Sequence, residues 1–235
     1  MEYVYKKVSG INFGMLSPET IKKLSATKIV TPELYDKEGY PVDGGLMDTH
    51  LGIIDPGLRC KTCGGKLKEC AGHFGMIELA RPIIHIKYAP MIYDTLRGTC
   101  KICARVLLSD TDIEKDKELL SKVEIEKGAE ARRKKAREII STLKNVKKCP
   151  HCNERQYVIK IEKPTTFFER DKRLSPVEIR LRLEKVPDND LNVLGLNPHN
   201  ARPEWGVLTI MPIPPVTIRP SITLESGERS EDDLT

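Results

Sequence analysis

Aromatic side chains are scarce in this sequence: one tryptophan, four phenylalanines and seven tyrosines make up 5% of 235 residues. A chain so poor in flat rings does not offer rows of platforms on which successive nucleic-acid bases could stack. Long apolar runs are missing too. Nowhere do about 18 apolar residues follow one another, and Met1 to Gly10, with Lys6 and Lys7, hold no stretch of signal-peptide character. The expectation is a cytoplasmic protein with no membrane partner. Nor is the cysteine count even. Seven cysteines cannot all pair within the chain, and a reducing compartment would not keep them oxidised, so metal ligation is the better use for them.

Charged residues make up 31% of the chain and hydrophobic residues 39%, with a net charge of +5. These proportions suit one irregular domain or two small ones around a modest core. The slight basicity permits a nucleic-acid partner without requiring one.

The cysteines fall into short knuckles. Cys60-Lys61-Thr62-Cys63 is followed, six residues on, by Cys70-Ala71-Gly72-His73, and each knuckle can point two ligands at one tetrahedral ion. Gly64, Gly65 and Gly72 let the backbone turn tightly around it. Cys100-Lys101-Ile102-Cys103 and Cys149-Pro150-His151-Cys152 form a second set. The long insertion between them is tolerable because loop-closure entropy grows only logarithmically with length. All seven cysteines and His73 are thereby used in two closed four-ligand sites, which implies two structural zinc ions. A hydrolytic zinc needs an open position for water, and a redox CxxC sits singly at a helix start in a βαβ unit; neither description fits. His151, inside a knuckle, and His85, in an apolar strand, read as structural, while His50 and His199 carry no evident chemistry.

Local signals predict an α+β chain of short elements. Ser17-Pro18-Glu19 opens a brief helix with Ile21 and Leu24 on its apolar face. Prolines and glycines from Thr31 to Gly57 predict a long exposed loop with its tip at Asp36 to Tyr40. Met76 to Leu79 and Ile83 to Ile86 read as two strands bracketing Pro82, and Met91 to Leu96 as a helix. Between the second pair of knuckles, residues 110–130 hold 8 acids and 4 bases and residues 131–148 hold 8 bases and 1 acid, giving −4 and +7. Ala136, Ile139, Ile140 and Leu143 have helical spacing, so the basic half reads as an amphipathic helix showing Arg132, Arg133, Lys134, Lys135 and Arg137 to solvent. Its charge either pairs with the acidic half or contacts nucleic acid. Tyr157 to Ile161 alternates like a strand, and Ser175-Pro176-Val177-Glu178 is a capping box opening a helix through Leu183. Asp188 and Asp190 resemble a metal-binding DxD but read as caps of the next helix. Val207 to Met211 reads as a buried strand, followed by an extended segment imposed by Pro212, Pro214, Pro215 and Pro220 and an acidic tail from Glu225 to Asp233.

Beyond these local signals, several blocks occur in a fixed order: Phe13-Gly14-Met15-Leu16-Ser17-Pro18-Glu19, Gly45-Leu46-Met47-Asp48, and Cys60 to Gly75 ending Cys-Ala-Gly-His-Phe-Gly. Arg202-Pro203-Glu204-Trp205, Pro212-Ile213-Pro214-Pro215 and Arg219-Pro220-Ser221-Ile222 follow. Together they resemble the start of the largest subunit of archaeal and eukaryotic RNA polymerases, the archaeal A' type most of all, across essentially the whole chain. The resemblance implies an irregular zinc-stabilised clamp: residues 1–59 an N-terminal clamp segment, 60–99 the first zinc knuckles with core strands, 100–155 the second zinc site with its charged helical insertion, 156–220 the clamp core with its Pro-rich segment, and 221–235 a lid-like tail. It places a zipper at Thr31 to Asp43 and a lid at Ser221 to Asp232, with Leu224 positioned to wedge strands. It also implies a nucleoid-associated location and a set of partners: the other polymerase subunits, especially the second largest, DNA and the RNA:DNA hybrid, and elongation and initiation factors. The family's Asp-Phe-Asp-Gly-Asp magnesium loop has no counterpart in this sequence, so magnesium and nucleotidyl transfer belong outside it and no catalytic residue is assigned. Gly206 departs from the larger apolar residue expected there.

Contacts with nucleic acid through phosphate charge would be sequence-independent and salt-sensitive, with Lys101, Arg105, Arg219 and Arg229 as candidate cations. The alternative is a free-standing zinc-ribbon transcription or RNA-processing factor using the basic helix from Arg132 to Lys148. A zinc enzyme would need an open metal position, which the ligand sets do not leave. The Pro-stiffened, acidic end of the chain favours a partner surface over a free protein.

Overall fold

Helix caps and glycines divide this chain much as its sequence suggests, and the tertiary contacts then sort the pieces into two discontinuous units. The computed structural model describes residues 7, 8, 11, 13–224 and 229–235. One unit combines Ser17–Arg81 with the described residues from Leu208 onward, and the other combines Pro82–Val207 with the described residues up to Leu16.

In the unit that begins at Ser17, helix α1 (Pro18–Leu24) is capped by Ser17, whose side chain accepts from the Thr20 amide at 3.0 Å. Ile21 is buried, but Leu24, expected on the same face, is exposed because the helix ends there and the chain leaves as strand β1 (Ser25–Lys28). β1 pairs in parallel with β2 (Phe74–Ile84) in a three-stranded sheet of order β1-β2-β6, β6 being Val207–Ile213. The two strands expected around Pro82 are one. β1 pairs only with Phe74 to Met76, so Pro82 lies where β1 needs no donor. Likewise β6 continues through Pro212 to Ile213 rather than stopping at Met211.

The segment from Thr31 to Gly57 is only partly the exposed loop the sequence suggests. Its tip is: the Asp36 carboxylate accepts from the amides of Glu38 and Tyr40 while the chain turns back. Its second half dives inward through a short 3-10 helix (Thr49–Leu51), and Met47 and Leu51 join Ile29, Ile213 and Val216 in the unit's core.

In the unit that spans Pro82–Val207, α2 (Ala89–Gly98) packs Ile92 and Leu96 against a three-stranded antiparallel sheet, β3 (Ile159–Glu162), β4 (Thr166–Glu169) and β5 (Lys172–Leu174), and against α4 (Pro176–Glu184). Phe167, Ile159, Ile179 and Leu183 complete that core. The capping box is formed at both ends, Ser175 Oγ accepting from the Glu178 amide and the Glu178 carboxylate from the Ser175 amide. β3 begins two residues later than its alternation suggested. Ile86 is not in a strand either: a 3-10 helix (Ile86–Tyr88) starts there, and His85 caps it, Nδ1 accepting from the Lys87 amide. Gly206 belongs where it is, because a Cβ there would lie 3.0 Å from Tyr88 Cβ and 3.3 Å from Ile92 Cδ1; a larger apolar residue has no room.

The charged insertion is helix α3 (Asp110–Leu143), interrupted at Gly128, whose φ of +82° reverses the chain. Ile113 and Leu120 of the acidic half meet Ala136 and Ile139 of the basic half, together with Val193 from α5 (Asp188–Val193). Arg132 Nε lies 3.4 Å from Glu124. The basic half is therefore the amphipathic helix its spacing predicts, packed against its acidic neighbour. The whole is an α+β chain of short elements with two cysteine clusters.

Candidate metal centres

Each pair of knuckles converges. The ligand atoms of Cys60, Cys63, Cys70 and His73 lie within 4.8 Å of one another, and so do those of Cys100, Cys103, Cys149 and Cys152. Each tetrad lies within a single unit.

The first tetrad is shaped by backbone bonds that close its turns. Gly64 N–H donates to the Cys60 carbonyl at 2.8 Å, Cys60 N–H to Gly65 at 2.9 Å, and His73 N–H to Leu51 at 3.0 Å. Gly72, at φ +90°, has no space for a side chain: a Cβ would stand 2.5 Å from Pro215 Cβ and 2.7 Å from Thr217 Oγ1. The knuckle thus rests directly on the segment after β6. Cys60 and Cys70 are buried, Cys63 is exposed and His73 is half-buried.

The second tetrad joins residues 46 or more positions apart, with Cys100 Sγ 3.5 Å from Cys152 Sγ and Cys103 Sγ 3.6 Å from Cys149 Sγ. Sulfurs bonded to each other would be about 2.05 Å apart, whereas sulfurs on a tetrahedron with 2.3 Å arms stand about 3.8 Å apart. In the first tetrad Cys70 Sγ is 3.5 Å from His73 Nε2, again an edge of such a polyhedron. Donor set and spacing therefore fit a tetrahedral, thiophilic ion, and neither tetrad leaves a ligand position for substrate water.

Electrostatics point the same way. Burial opposes ionisation of Cys100, but the amides of Cys103 and Ile102 together with the Cys152 and Cys103 thiols outweigh it and bring its thiol down to about 7. Burial, joined by the neighbouring thiols, pushes Cys103 up to about 12 and Cys70 up to about 11. Thiols this close resist ionising together, and a dication at the centre would supply the charge that makes all of them thiolates.

Residues outside the ligand set brace the second tetrad. Gln156 donates from Nε2 to Cys100 Sγ at 3.3 Å and accepts from the Lys101 amide at 3.1 Å. Asp190 is not a helix cap. It is buried, and one carboxylate oxygen accepts from Arg105 Nε at 2.8 Å and the Val106 amide at 2.9 Å, fastening α5 to the chain just after Cys103. His151 Nε2 sits 3.2 Å from the Val106 carbonyl and links the two knuckles. Asp188 instead pairs with Arg202. In the first unit, His50 has a partner after all: its Nδ1 lies 2.7 Å from Asp48. Burial by itself would raise the Asp48 pKa, yet the amides of His50 and Gly44 and the His50 ring hold the carboxyl below its ordinary value.

The four cations proposed for nucleic acid are internally engaged. Arg219 is fully buried and donates to the carbonyls of Pro214 and Leu46. Arg105 is tied to Asp190 and Asp110, Lys101 to Glu154, and Arg229 lies 3.6 Å from Asp55 and over the Tyr35 ring. A single sequence does not distinguish a surface arginine from one that holds loops together from inside.

Comparison with known proteins gives the family. The family model described as RNA polymerase Rpb1, domain 1, matches residues 5–235. The DNA-directed RNA polymerase subunit Rpo1N of Methanothermobacter thermautotrophicus is 54% identical over all of this chain, and that of Methanocaldococcus jannaschii 55% identical over 98% of it. The Sulfolobus acidocaldarius subunit is 48% identical over 98% of the chain. The chain spans 27%, 17% and 26% of the lengths of these relatives, respectively. With almost every residue inside the family model and about half of them shared with these archaeal subunits, the chain belongs to the RNA polymerase Rpb1 domain 1 family.

Proposed function

We propose that this chain is the clamp portion of the largest subunit of a DNA-dependent RNA polymerase, holding template DNA and the RNA:DNA hybrid in the cleft during transcription. Cys60, Cys63, Cys70 and His73 hold one structural zinc ion, and Cys100, Cys103, Cys149 and Cys152 a second. The observation that carries the reading is the collapse of eight ligand side chains into two closed tetrads within a chain that matches the family model from residue 5 to residue 235. Its role is to shape and position, and the magnesium chemistry of nucleotidyl transfer lies outside it. Its partners are the remaining subunits, the second largest above all, the nucleic acids, and the factors that dock on a clamp; the enzyme works in the cytoplasm beside the nucleoid. Because Lys101, Arg105, Arg219 and Arg229 are engaged within the fold, nucleic-acid contact falls to exposed cations such as Arg133, Lys134 and Arg137.

The test is affinity purification of the tagged chain from its native cells, with identification of the bound proteins and metal analysis of the eluate. Recovery of the other polymerase subunits with about two zinc ions per chain, as two four-ligand sites require, supports the reading. Zinc without polymerase subunits would move the assignment to a free-standing zinc-ribbon factor.

A further inference from the structure

Beside the second tetrad, and sharing with its surroundings the Gln156 side chain, lies a cleft of about 560 Å³ between α2, the end of α3 and β3. Its volume falls in the range of small-ligand pockets, about 300–1,000 Å³. The charge of its lining is one-sided: Arg97, Lys144, Lys147 and Arg182 contribute to it, and no carboxylate does. Among the described residues, Lys144 and Lys147 take part in no ion pair, and the nearest carboxylate to Arg97 is Asp94 at 4.0 Å. Arg182 is largely buried, held by the carbonyls of Leu96 and Thr99 and by Glu169 at 3.3 Å, and its Nε has no partner. The Tyr157 ring, on the cleft wall, holds two more cations nearby, Lys101 at 4.2 Å and Arg170 at 3.5 Å from its centre.

The floor differs from the rim. Its apolar surface comes from Tyr93, Val146, Tyr157 and Val158, half-buried or exposed, which lie over the buried Leu96, Leu107, Leu143 and Ile159. Walls of low dielectric focus the field of the cations into the opening, so a concentrated negative charge is drawn there more strongly than to a lysine on open surface. A bare inorganic anion would use the rim and leave the floor unmatched. An acidic peptide would bring single charges on separate stems. A flat apolar group joined to several phosphates satisfies rim and floor together.

We propose that this cleft binds a nucleoside polyphosphate, either a free nucleotide or the triphosphorylated 5′ end of a strand, with its phosphates on Lys144, Lys147 and Arg97 and its base against Tyr93, Val146 and Val158. The site does not rest on the clamp role, and it adjoins the second metal centre through Gln156.

Photolabelling with 8-azido-ATP tests the proposal on the intact chain, together with any subunits that co-purify, by mapping labelled peptides so that nucleotide bound elsewhere does not count. Saturable label is expected in the segments 93–107 and 143–159. The Lys144→Ala/Lys147→Ala double variant removes two charge-assisted contacts from exposed positions and lowers the affinity for label about tenfold or more. Its zinc content, measured alongside, stays that of the parent, and Lys122→Ala, on the acidic half of α3, labels as the parent does. ATP protects these segments at least about tenfold better than inorganic tripolyphosphate, a gap worth one decade of affinity. Protection by a 5′-triphosphorylated oligonucleotide as good as that by ATP identifies strand ends as the source, and poorer protection identifies the free nucleotide. Absence of saturable label in both segments, undiminished label in the double variant, or equal protection by tripolyphosphate would overturn the proposal.

Discussion

Asp190 carries more of the second metal centre's architecture than its place in a DND triplet suggests, because one buried carboxylate oxygen holds both Arg105 and the Val106 amide. Asp190→Ala leaves a buried amide unpaired and is expected to cost about 2 kcal/mol, whereas Asp188→Ala, at an exposed position, should stay within about 0.5 kcal/mol of the parent. Urea denaturation of the zinc-loaded chain measures both, and equal effects would mean that the Asp190 contacts are not holding the loop. Glu178 supplies a pH-dependent contribution of known sign. The Lys172 ammonium and then the Ser175 amide and hydroxyl pull its carboxyl from 4.5 down to about 2. A depressed folded pKa means that this stabilisation is full above about pH 4.5 and is lost as the pH falls toward 2. Glu178→Gln should therefore be less stable than the parent at pH 6, and the gap should narrow between pH 4.5 and 2 when unfolding is followed by dichroism. A gap of constant size would show that the carboxylate charge is not what stabilises the cap.

At the scale of elements, the α3 hairpin depends on one residue. Gly128 combines φ +82° with ψ 176° and has open space where a side chain would go, so the penalty for a substitution is backbone strain rather than collision. Gly128→Val is expected to cost about 1–3 kcal/mol and to raise amide hydrogen exchange in residues 110–143 while leaving β3–β5 protected. Uniform loss of protection across both regions would contradict a local hairpin. The elements whose rules are local were legible from sequence: α1 and α4 carry their own Ser-Pro caps, and the α3 spacing of Ala136, Ile139 and Leu143 gave its buried face. The continuity of β2 through Pro82 was not, because a proline's cost depends on whether a neighbouring strand needs its amide, and the neighbours β1 and β6 lie about fifty residues earlier and more than a hundred later in the chain.

For the whole molecule, a metal ion held by these tetrads would be coupled to folding. Structural zinc in small finger peptides contributes about 10–16 kcal/mol of apparent binding free energy, more than the typical net stability of a domain, about 5–15 kcal/mol. Excess chelator is therefore expected to unfold the base of each unit, with loss of far-ultraviolet dichroism and recovery on adding zinc. Unchanged dichroism after the metal is removed would show that the hydrophobic clusters hold the fold unaided. Each unit carries its own tetrad, so Cys60→Ser should deprotect Ser17–Arg81 first and Cys100→Ser should deprotect Pro82–Val207 first in hydrogen exchange.

The eight metal-ligand candidates, the family and the capped helices were determined by sequence alone, because ligand chemistry, knuckle spacing and capping are properties of neighbours in the chain. Tertiary structure alone decided what the arginines and carboxylates do. Arg219, Arg105 and Asp190 read as solvent-facing charges or caps until the chain brings Leu46 to Arg219 and α5 to Val106. Burial then makes an unpaired charge or amide costly, and the partners that satisfy it come from residues up to 173 positions away. The same long-range packing decided that Gly206 has no room to grow and that four cations line one cleft without a carboxylate, since both depend on which surfaces meet rather than on which residues follow one another.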